Sequence, residues 1–500
     1  MTQTYHFQLN SKNIPVCQNH FAMPPQCQGI TLHHDLKYPY TMLVLLMIKD
    51  SRGKIRFQKQ LSYSQPCISL STRPERTTIG GVPGTMPTGS WTIEAIYNQE
   101  YGKYFDQEPL AFNIQLDFGD SDVAEAINGP SWVNEDFEYV YFDMKKIYQK
   151  GKKWYRGDFH THTQLSDGKE LIGSVTAKVL EEGLDFYVAT EHNLLHTGWE
   201  KTELFVMPGI EMTTNFGHAN VFGLTKRPEN LDAIILEKEK QNVLFAMDTF
   251  IKECQDNGWL FSINHPYLYE WKWLFGDLEW HRVNCLEIIN DPTYELEPHA
   301  EGRKANQQAV ALADLLWSEG YRICAIGGSD SHMLKGECYA TAKTPSVPGD
   351  PSTWLLMEHL SVENLLTALQ DCHAYVTRFC KLEARFTTDD GQEFLFGDTL
   401  PKDAEYLLFD LSLTIAEEPI LFYLYNGKKV ELELEQVGKN LYHVSGQIPL
   451  QADFYQWIRF GANTKVGDDF RFYGNAITKG KKEPQIRTFA QASQQLGINI

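Results

Sequence analysis

Residues Leu171–Asn193 read LIGSVTAKVLEEGLDFYVATEHN, and the stretch has two halves of different period. From Leu171 to Glu182 the apolar residues Ile172, Val175 and Val179 recur with helical spacing. Gly183 stands where such a helix stops, because a residue without Cβ adopts the left-handed backbone of the C′ position at little cost. Leu184 to Thr190 is then short, apolar and rich in strand-forming side chains, and it runs directly into Glu191-His192-Asn193. The same order recurs twice. Asp256-Asn257-Gly258 precedes WLFSIN (259–264) and then His265-Pro266. Ser318-Glu319-Gly320 precedes YRICAI (321–326) and then Gly327-Gly328-Ser329-Asp330-Ser331-His332. Helices alternating with short buried strands predict parallel βα units and an α/β fold.

Working outward, an earlier strand around Trp154–Phe159 leads into His160-Thr161-His162. Four strand ends therefore carry imidazole or carboxylate groups, and in α/β barrels catalytic groups gather at the C-terminal ends of strands. Residues two apart on a strand share a face, so His160 and His162 can serve one ion, as can Asp330 and His332. Imidazole with carboxylate suits zinc, manganese or iron. Asp167, Glu211, His218 and His265 lie in or between the same segments. Each has a plain structural reading when taken alone. Asp167 is a helix-capping type, Glu211 an ordinary carboxylate, His218 a hydrogen-bonded core histidine and His265 a strand-end residue. A single His-x-His is common on surfaces. Their joint placement at strand ends is what points to a metal site. Glu191 is expected to orient His192 or its water. Arg378, in Tyr-Val-Thr-Arg378, is read either as a phosphate contact or as a surface ion pair.

The flanks differ from this middle. Lys54–Leu61 partly alternates apolar and polar residues, and Trp91, Ile93, Ala95 and Tyr97 fall on one side of a strand. Between them Ile79–Gly89 has the composition of a loop. Further on, Phe409, Leu411, Leu413 and Ile415 alternate with Asp410, Ser412 and Thr414, and Asn426-Gly427 signals a hairpin. The expected organisation is a β-rich sandwich over 1–150, a hydrolase barrel over 151–382, a β-rich domain over 383–480 and a polar tail over 481–500. At roughly 100–200 residues per domain, a chain of 500 residues accommodates this. Aromatic residues in the flanks read as core rather than as a carbohydrate surface.

A net charge of −20 argues against a nucleic-acid surface. It leaves room for a small phosphorylated substrate, since bound metals supply local positive charge. The stretch MTQTYHFQLNSK has no signal-peptide pattern, and the apolar run Met42–Ile48 is too short to span a bilayer. Nine scattered cysteines without a Cys-x-x-Cys pair read as reduced, mostly buried thiols. The expectation is a cytoplasmic protein with a small-molecule substrate and neither a membrane nor a nucleic-acid partner.

GDFHTHT (157–163) followed by Ser166-Asp167-Gly168 resembles the first motif of the PHP family, named for its polymerase and histidinol phosphatase members. VATEHN (188–193) resembles the second, with Glu191 where the family more usually has Asp. Gly209-Ile-Glu-Met212, Asn264-His-Pro266 and Gly328-Ser-Asp-Ser-His332 resemble the remaining motifs in order, and the likeness covers about residues 154–380. It implies a distorted (β/α)7 barrel with two or three divalent ions, manganese, zinc or iron. By motif position, His160, His162, Glu211 and Asp330 would hold the first ion. Glu211 would bridge to a second, with His218 and His265, and Asp167, His192 and His332 would hold the third. Asp167 stands where some members have His, and a carboxylate there favours manganese or iron. The β-rich flanks, with Gly89-Ser-Trp91, are most similar to the subgroup that includes carbaryl-type carbamate hydrolases. The resemblance implies metal-assisted hydrolysis, with a phosphoesterase as the first expectation and a carbamate or amide hydrolase as the second. A PHP module without turnover is the third, and an intact ligand set argues against it.

Overall fold

A computed structural model describes residues 2–10, 15–102, 109–237, 239–294, 301–339, 342 and 344–500. Two four-stranded antiparallel sheets form the N-terminal sandwich. One runs Gln3–Leu9, Leu110–Phe118, Gly29–His34, Cys67–Ser71, and the other Val16–Met23, Gly89–Tyr97, Val44–Lys49, Ile55–Gln60. In Leu110–Phe118 the period of two is clear: Phe112, Ile114 and Leu116 are buried between exposed Ala111, Asn113 and Gln115. They share one core with Trp91, Ile93, Ala95 and Tyr97.

Strand Ile55–Gln60 departs from alternation, since both of its faces are covered. Its polar side chains are spent on backbone groups. Gln58 Nε2 donates to Leu195 O at 3.0 Å; the Gln60 side chain donates to Met42 O at 3.3 Å, and its backbone N–H reaches Leu165 O at 3.0 Å. Lys59 is fully buried; it pairs with Glu125 at 3.2 Å and donates to Gln164 O. The buried polar side chains Gln58, Lys59 and Gln60 are tolerated here because each finds a partner.

The central sheet runs Cys324–Gly328, Cys285–Asn290, Leu260–Ile263, Gly217–Phe222, Phe205–Thr214, Phe186–Ala189, Gln149–Asp158, Ser352–Leu360, Ala374–Thr377. Helices Ile172–Glu181, Lys240–Asn257 and Glu301–Ser318 alternate with its parallel strands as the sequence predicts. Gly258 caps the second helix in the left-handed region at φ 71°. The expected succession of seven βα units is not drawn, however. Gly217–Phe222 follows Phe205–Thr214 through a tight hairpin and pairs antiparallel with both neighbours. Ser352–Leu360 is also antiparallel to both of its neighbours. A two-residue turn leaves no length for a crossover helix, so the region is a mixed, sheet-rich α/β structure. The sheet nevertheless curls. Gly327 N–H donates to Thr353 Oγ1 at 2.8 Å, which brings the first strand back against the eighth.

Beyond Ala374–Thr377 the same sheet continues through Phe470–Gly474, Gln456–Thr464, Pro419–Tyr425 and Lys428–Glu431. A separate five-stranded sheet, which includes Cys380–Thr388 and Tyr406–Ile415, packs over this extension on a core containing Phe386, Phe409, Phe460 and Phe472. The C-terminal β region is therefore joined edge to edge with the central one. Alternation in sequence marks which side chains are buried and not which strand is the neighbour. The expected hairpin is present, with Asn426 at φ 48° and Gly427 at φ 81° and Tyr425 opposite Lys428. Residues 489–495 form a helix opened by a Thr488/Gln491 capping box. Its Phe489 is buried against Trp280 and Tyr267, each at 5.6 Å between ring centroids. The nine cysteines are unpaired; four are buried and five are only half-buried, so the thiols are less enclosed than expected. No helix among the described residues is long and apolar enough to cross a membrane.

Truncating Phe489 to Ala is expected to remove about 3–5 kcal/mol of packing locally. Limited proteolysis read by mass spectrometry should then cut near residue 489 faster than in the wild type, with a lower thermal midpoint. An unchanged cleavage pattern would show that the terminal helix is not held by this ring.

Candidate metal centre

Six of the nine candidate ligands follow the ends of strands. Gln149–Asp158 leads into His160 and His162, and Phe186–Ala189 into His192. Leu260–Ile263 leads into His265, and Cys324–Gly328 into Asp330 and His332. Glu211 lies within Phe205–Thr214, and His218 lies on its antiparallel partner, opposite Thr213. Asp167 comes from the loop after His162. Parallel bridges Thr161–Ser331 and His192–Glu211 lock the strand ends together. His265 (φ 25°) and Asp330 (φ 49°) hold positive-φ backbone. Such conformations cost about 1–3 kcal/mol each and persist only where the surroundings over-determine them.

All nine candidates converge. They form four overlapping groups whose donor atoms lie within 4.8 Å of one another: His162, Asp167, His192 and His332; His160, His265 and Asp330; His160, His162 and Glu211; and His192, Glu211 and His218. Glu211 is the hub. Its oxygens lie 3.1 Å from His160 Nε2, 3.4 Å from His162 Nε2 and 2.7 Å from His192 Nδ1. They lie 3.1 Å from His218 Nδ1 and 3.5 Å from His265 Nε2. Asp330 Oδ1 lies 3.0 Å from His162 Nε2 and 3.3 Å from His160 Nε2. Asp167 lies 3.5 Å from His192 and 3.4 Å from His332.

The chemistry of the donor set fits divalent cations. His160 Nε2, His162 Nε2, Glu211 Oε2 and Asp330 Oδ1 are buried and make no hydrogen bond, although they crowd one another. Native proteins rarely leave buried polar atoms unsatisfied. Lone pairs converging at these distances are what metal coordination requires.

Electrostatics follow the same layout. Burial opposes the charged form of His160, but the Asp330, Glu211 and Glu287 carboxylates override it and hold the imidazole well above its usual range. His162 is lowered to about 4 by burial, helped by His332 and His192. Burial alone would raise Glu211, yet His160, His192 and His218 keep it well below the ordinary carboxylate value.

Two residues singled out in the sequence are not brought into this cluster. Glu191 is fully buried behind it, and its carboxylate is taken up by Thr163, Ser166 and His196. It pins the 163–166 loop instead of orienting His192. Arg378 forms a two-point ion pair with Asp350, at 2.8 and 3.2 Å, and lies over Phe379. The role that Glu191 was expected to play falls to others. Glu287 accepts from His160 at Nδ1 (3.0 Å), Thr213 Oγ1 meets His192 Nδ1 (2.6 Å), and Asn264 donates to Glu211 (2.9 Å). Glu287 lies inside strand Cys285–Asn290, and a lone carboxylate in that otherwise apolar run was its only signal. Tyr101 comes from the N-terminal sandwich and donates to Asp167, a contact with no trace in local sequence.

A cavity of about 240 Å³ opens on the cluster. Met42, Tyr63 and Tyr101 of the sandwich form one wall, with Leu268, Trp271 and Tyr339 opposite. Lys169 is the cation among the described lining residues, and it is paired with Glu337.

No protein-family model matches the chain, and no curated protein does. Among solved structures, the chain is similar to a two-domain protein from Bacteroides vulgatus ATCC 8482 described as containing a predicted PHP-like metal-dependent phosphoesterase. The identity is 14% and the TM-score 0.33, over 66% of this chain and 96% of that one.

Because Glu287 orients His160, Glu287→Gln should weaken metal binding by about 10–100-fold. Titration of the metal-stripped protein with Mn²⁺ or Zn²⁺ by calorimetry measures this. Wild-type affinity in the variant would remove Glu287 from the centre.

Proposed function

We propose that this chain is a metal-dependent hydrolase of the PHP type acting on a phosphoester of a small molecule. The observation that carries the reading is the convergence of nine imidazole and carboxylate side chains, among which His160, His162, Glu211 and Asp330 turn buried atoms without a hydrogen bond toward one another. On this reading the curled mixed sheet is a strongly distorted PHP barrel spanning about residues 151–382. The 1–150 sandwich walls the substrate cavity, and the 383–480 β region and 481–500 tail buttress it.

His160, His162, Glu211 and Asp330 would hold one ion, Glu211 with His218 and His265 a second, and Asp167, His192 and His332 a third. Bound there, manganese, zinc or iron would make water acidic enough to attack near neutral pH and would neutralise charge on the substrate oxygens. The chain's own residues prepare the site for this. Glu287, by accepting the Nδ1–H of His160, leaves the Nε2 lone pair facing Glu211 and Asp330. Tyr101 and the buried loop behind Glu191 hold Asp167 against His192 and His332. A net charge of −20 favours a small-molecule partner over nucleic acid.

The second reading, a carbamate or amide hydrolase using the same centre, is favoured by the cavity walls. Tyr63, Tyr101, Trp271 and Tyr339 offer aromatic surface, while the ammonium of Lys169 is already paired. A doubly charged phosphate monoester gains little from such walls; an aryl ester gains more.

The experiment is turnover of bis(p-nitrophenyl) phosphate and of 1-naphthyl N-methylcarbamate by the metal-loaded protein, which ranks the two readings. His160→Ala and Asp330→Ala are expected to lower kcat/KM on the accepted substrate by about 10²–10³-fold or more, with less bound metal and an unchanged circular dichroism spectrum. Near-normal rates in either variant would refute the assignment. No turnover of either compound by fully loaded protein would shift the reading to a module without catalysis.

A further inference from the structure

Building on the hydrolase reading above, we propose that Asp291 is the proton donor to the leaving group, positioned by Ser346, Thr293 and Tyr339. Asp291 follows strand Cys285–Asn290, the neighbour of the strand that carries Asp330. The preceding residue, Asn290, donates to Asp330 Oδ2 at 3.2 Å. Asp291 therefore sits one residue from the ligand cluster, and it lines the same cavity as Asp330 and His332. It belongs to none of the groups whose donor atoms converge.

Its surroundings orient it without neutralising it. Oδ1 accepts from the Thr293 N–H at 3.0 Å and from the Thr293 hydroxyl, and Oδ2 accepts from Ser346 Oγ at 3.1 Å. Tyr339, on the loop after His332, shares a hydrogen bond with it. The charged groups that act on it are the carboxylates Asp330 and Asp350, and Asp350 is itself paired with Arg378. With burial as the main cause, its carboxyl is pushed up to about 7. A buried carboxylic acid beside other carboxylates keeps its proton and can give it away.

The other groups of the cavity are less suited. The nine ligand residues would be committed to ions. Lys169 is held by Glu337. The Tyr339 phenol is pushed well above its usual range by burial and by Asp291, so it is a poor donor. In the proposed step the oxygen of water bonds to phosphorus, or to the acyl carbon, and the bond to the leaving oxygen breaks. That oxygen keeps the electron pair and takes the Asp291 proton. Asp291 is then recharged by the proton that water has lost, so ester and water give alcohol and acid.

The test compares two leaving groups on the metal-loaded protein: methyl p-nitrophenyl phosphate, whose phenolate departs without a proton, and methyl phenyl phosphate, which needs one. The matching p-nitrophenyl and phenyl N-methylcarbamates are run beside them. Asp291→Asn should lower kcat on the phenyl ester by about 10²–10⁴-fold and change the p-nitrophenyl ester only a few-fold, with wild-type metal content and thermal midpoint. Tyr339→Phe, which keeps the carboxyl, should show the same leaving-group dependence on a smaller scale. Equal losses on both esters, or no loss, in Asp291→Asn would overturn the role of Asp291 while leaving the hydrolase intact. If the wild type turns over none of the four esters, the hydrolase reading itself falls and the donor role falls with it.

Discussion

Glu211 is a carboxylate with no solvent exposure, and five imidazoles lie within 3.5 Å of it. Desolvating charge is expensive, and such a cluster is tolerable only if compensating charge is supplied in place. The surrounding architecture can be understood as the means of holding this group where it is. Strands deliver the imidazoles from separate parts of the chain, and positive-φ backbone at His265 and Asp330 turns two ligands inward. Glu287, Thr213 and Asn264 then restrict how those ligands can rotate.

The N-terminal sandwich is part of this arrangement. Its edge strand Ile55–Gln60 buries Gln58, Lys59 and Gln60 on the loops that carry the ligands, and Tyr101 reaches Asp167. A free-standing sandwich would leave that edge alternating and wet. The C-terminal β region is tied in differently, by sharing a sheet: Phe470–Gly474 pairs with Ala374–Thr377, and Asn475 bonds the backbone of Ala325 and Ala374. Loosening either flank would therefore be felt at the His, Asp and Glu cluster.

Much of the site was legible before the fold. Histidine and aspartate spaced two apart after short apolar strands, as in His160/His162 and Asp330/His332, suggest shared coordination, and all nine candidate residues lie together. Glu191 misled because its neighbour in sequence, His192, is a site residue, while its side chain turns to Thr163, Ser166 and His196; Arg378 took the ion-pair alternative, with Asp350. Glu287, Tyr101 and Asp291 escaped notice. A carboxylate or phenol is chemically ordinary until the fold surrounds it.

The sequence by itself determined the strand-end imidazoles and carboxylates, the helix stops, the Asn426-Gly427 hairpin and the alternation of strands such as Leu110–Phe118 and Tyr406–Ile415. These follow from local conformational preference and residue type. The tertiary structure alone decided which strands pair, that Gly217–Phe222 returns as a hairpin and that one sheet runs on into the C-terminal region. It also decided which carboxyls end up dry and facing the cavity. Pairing partners and burial depend on contacts between residues far apart in the chain, and no local pattern encodes them.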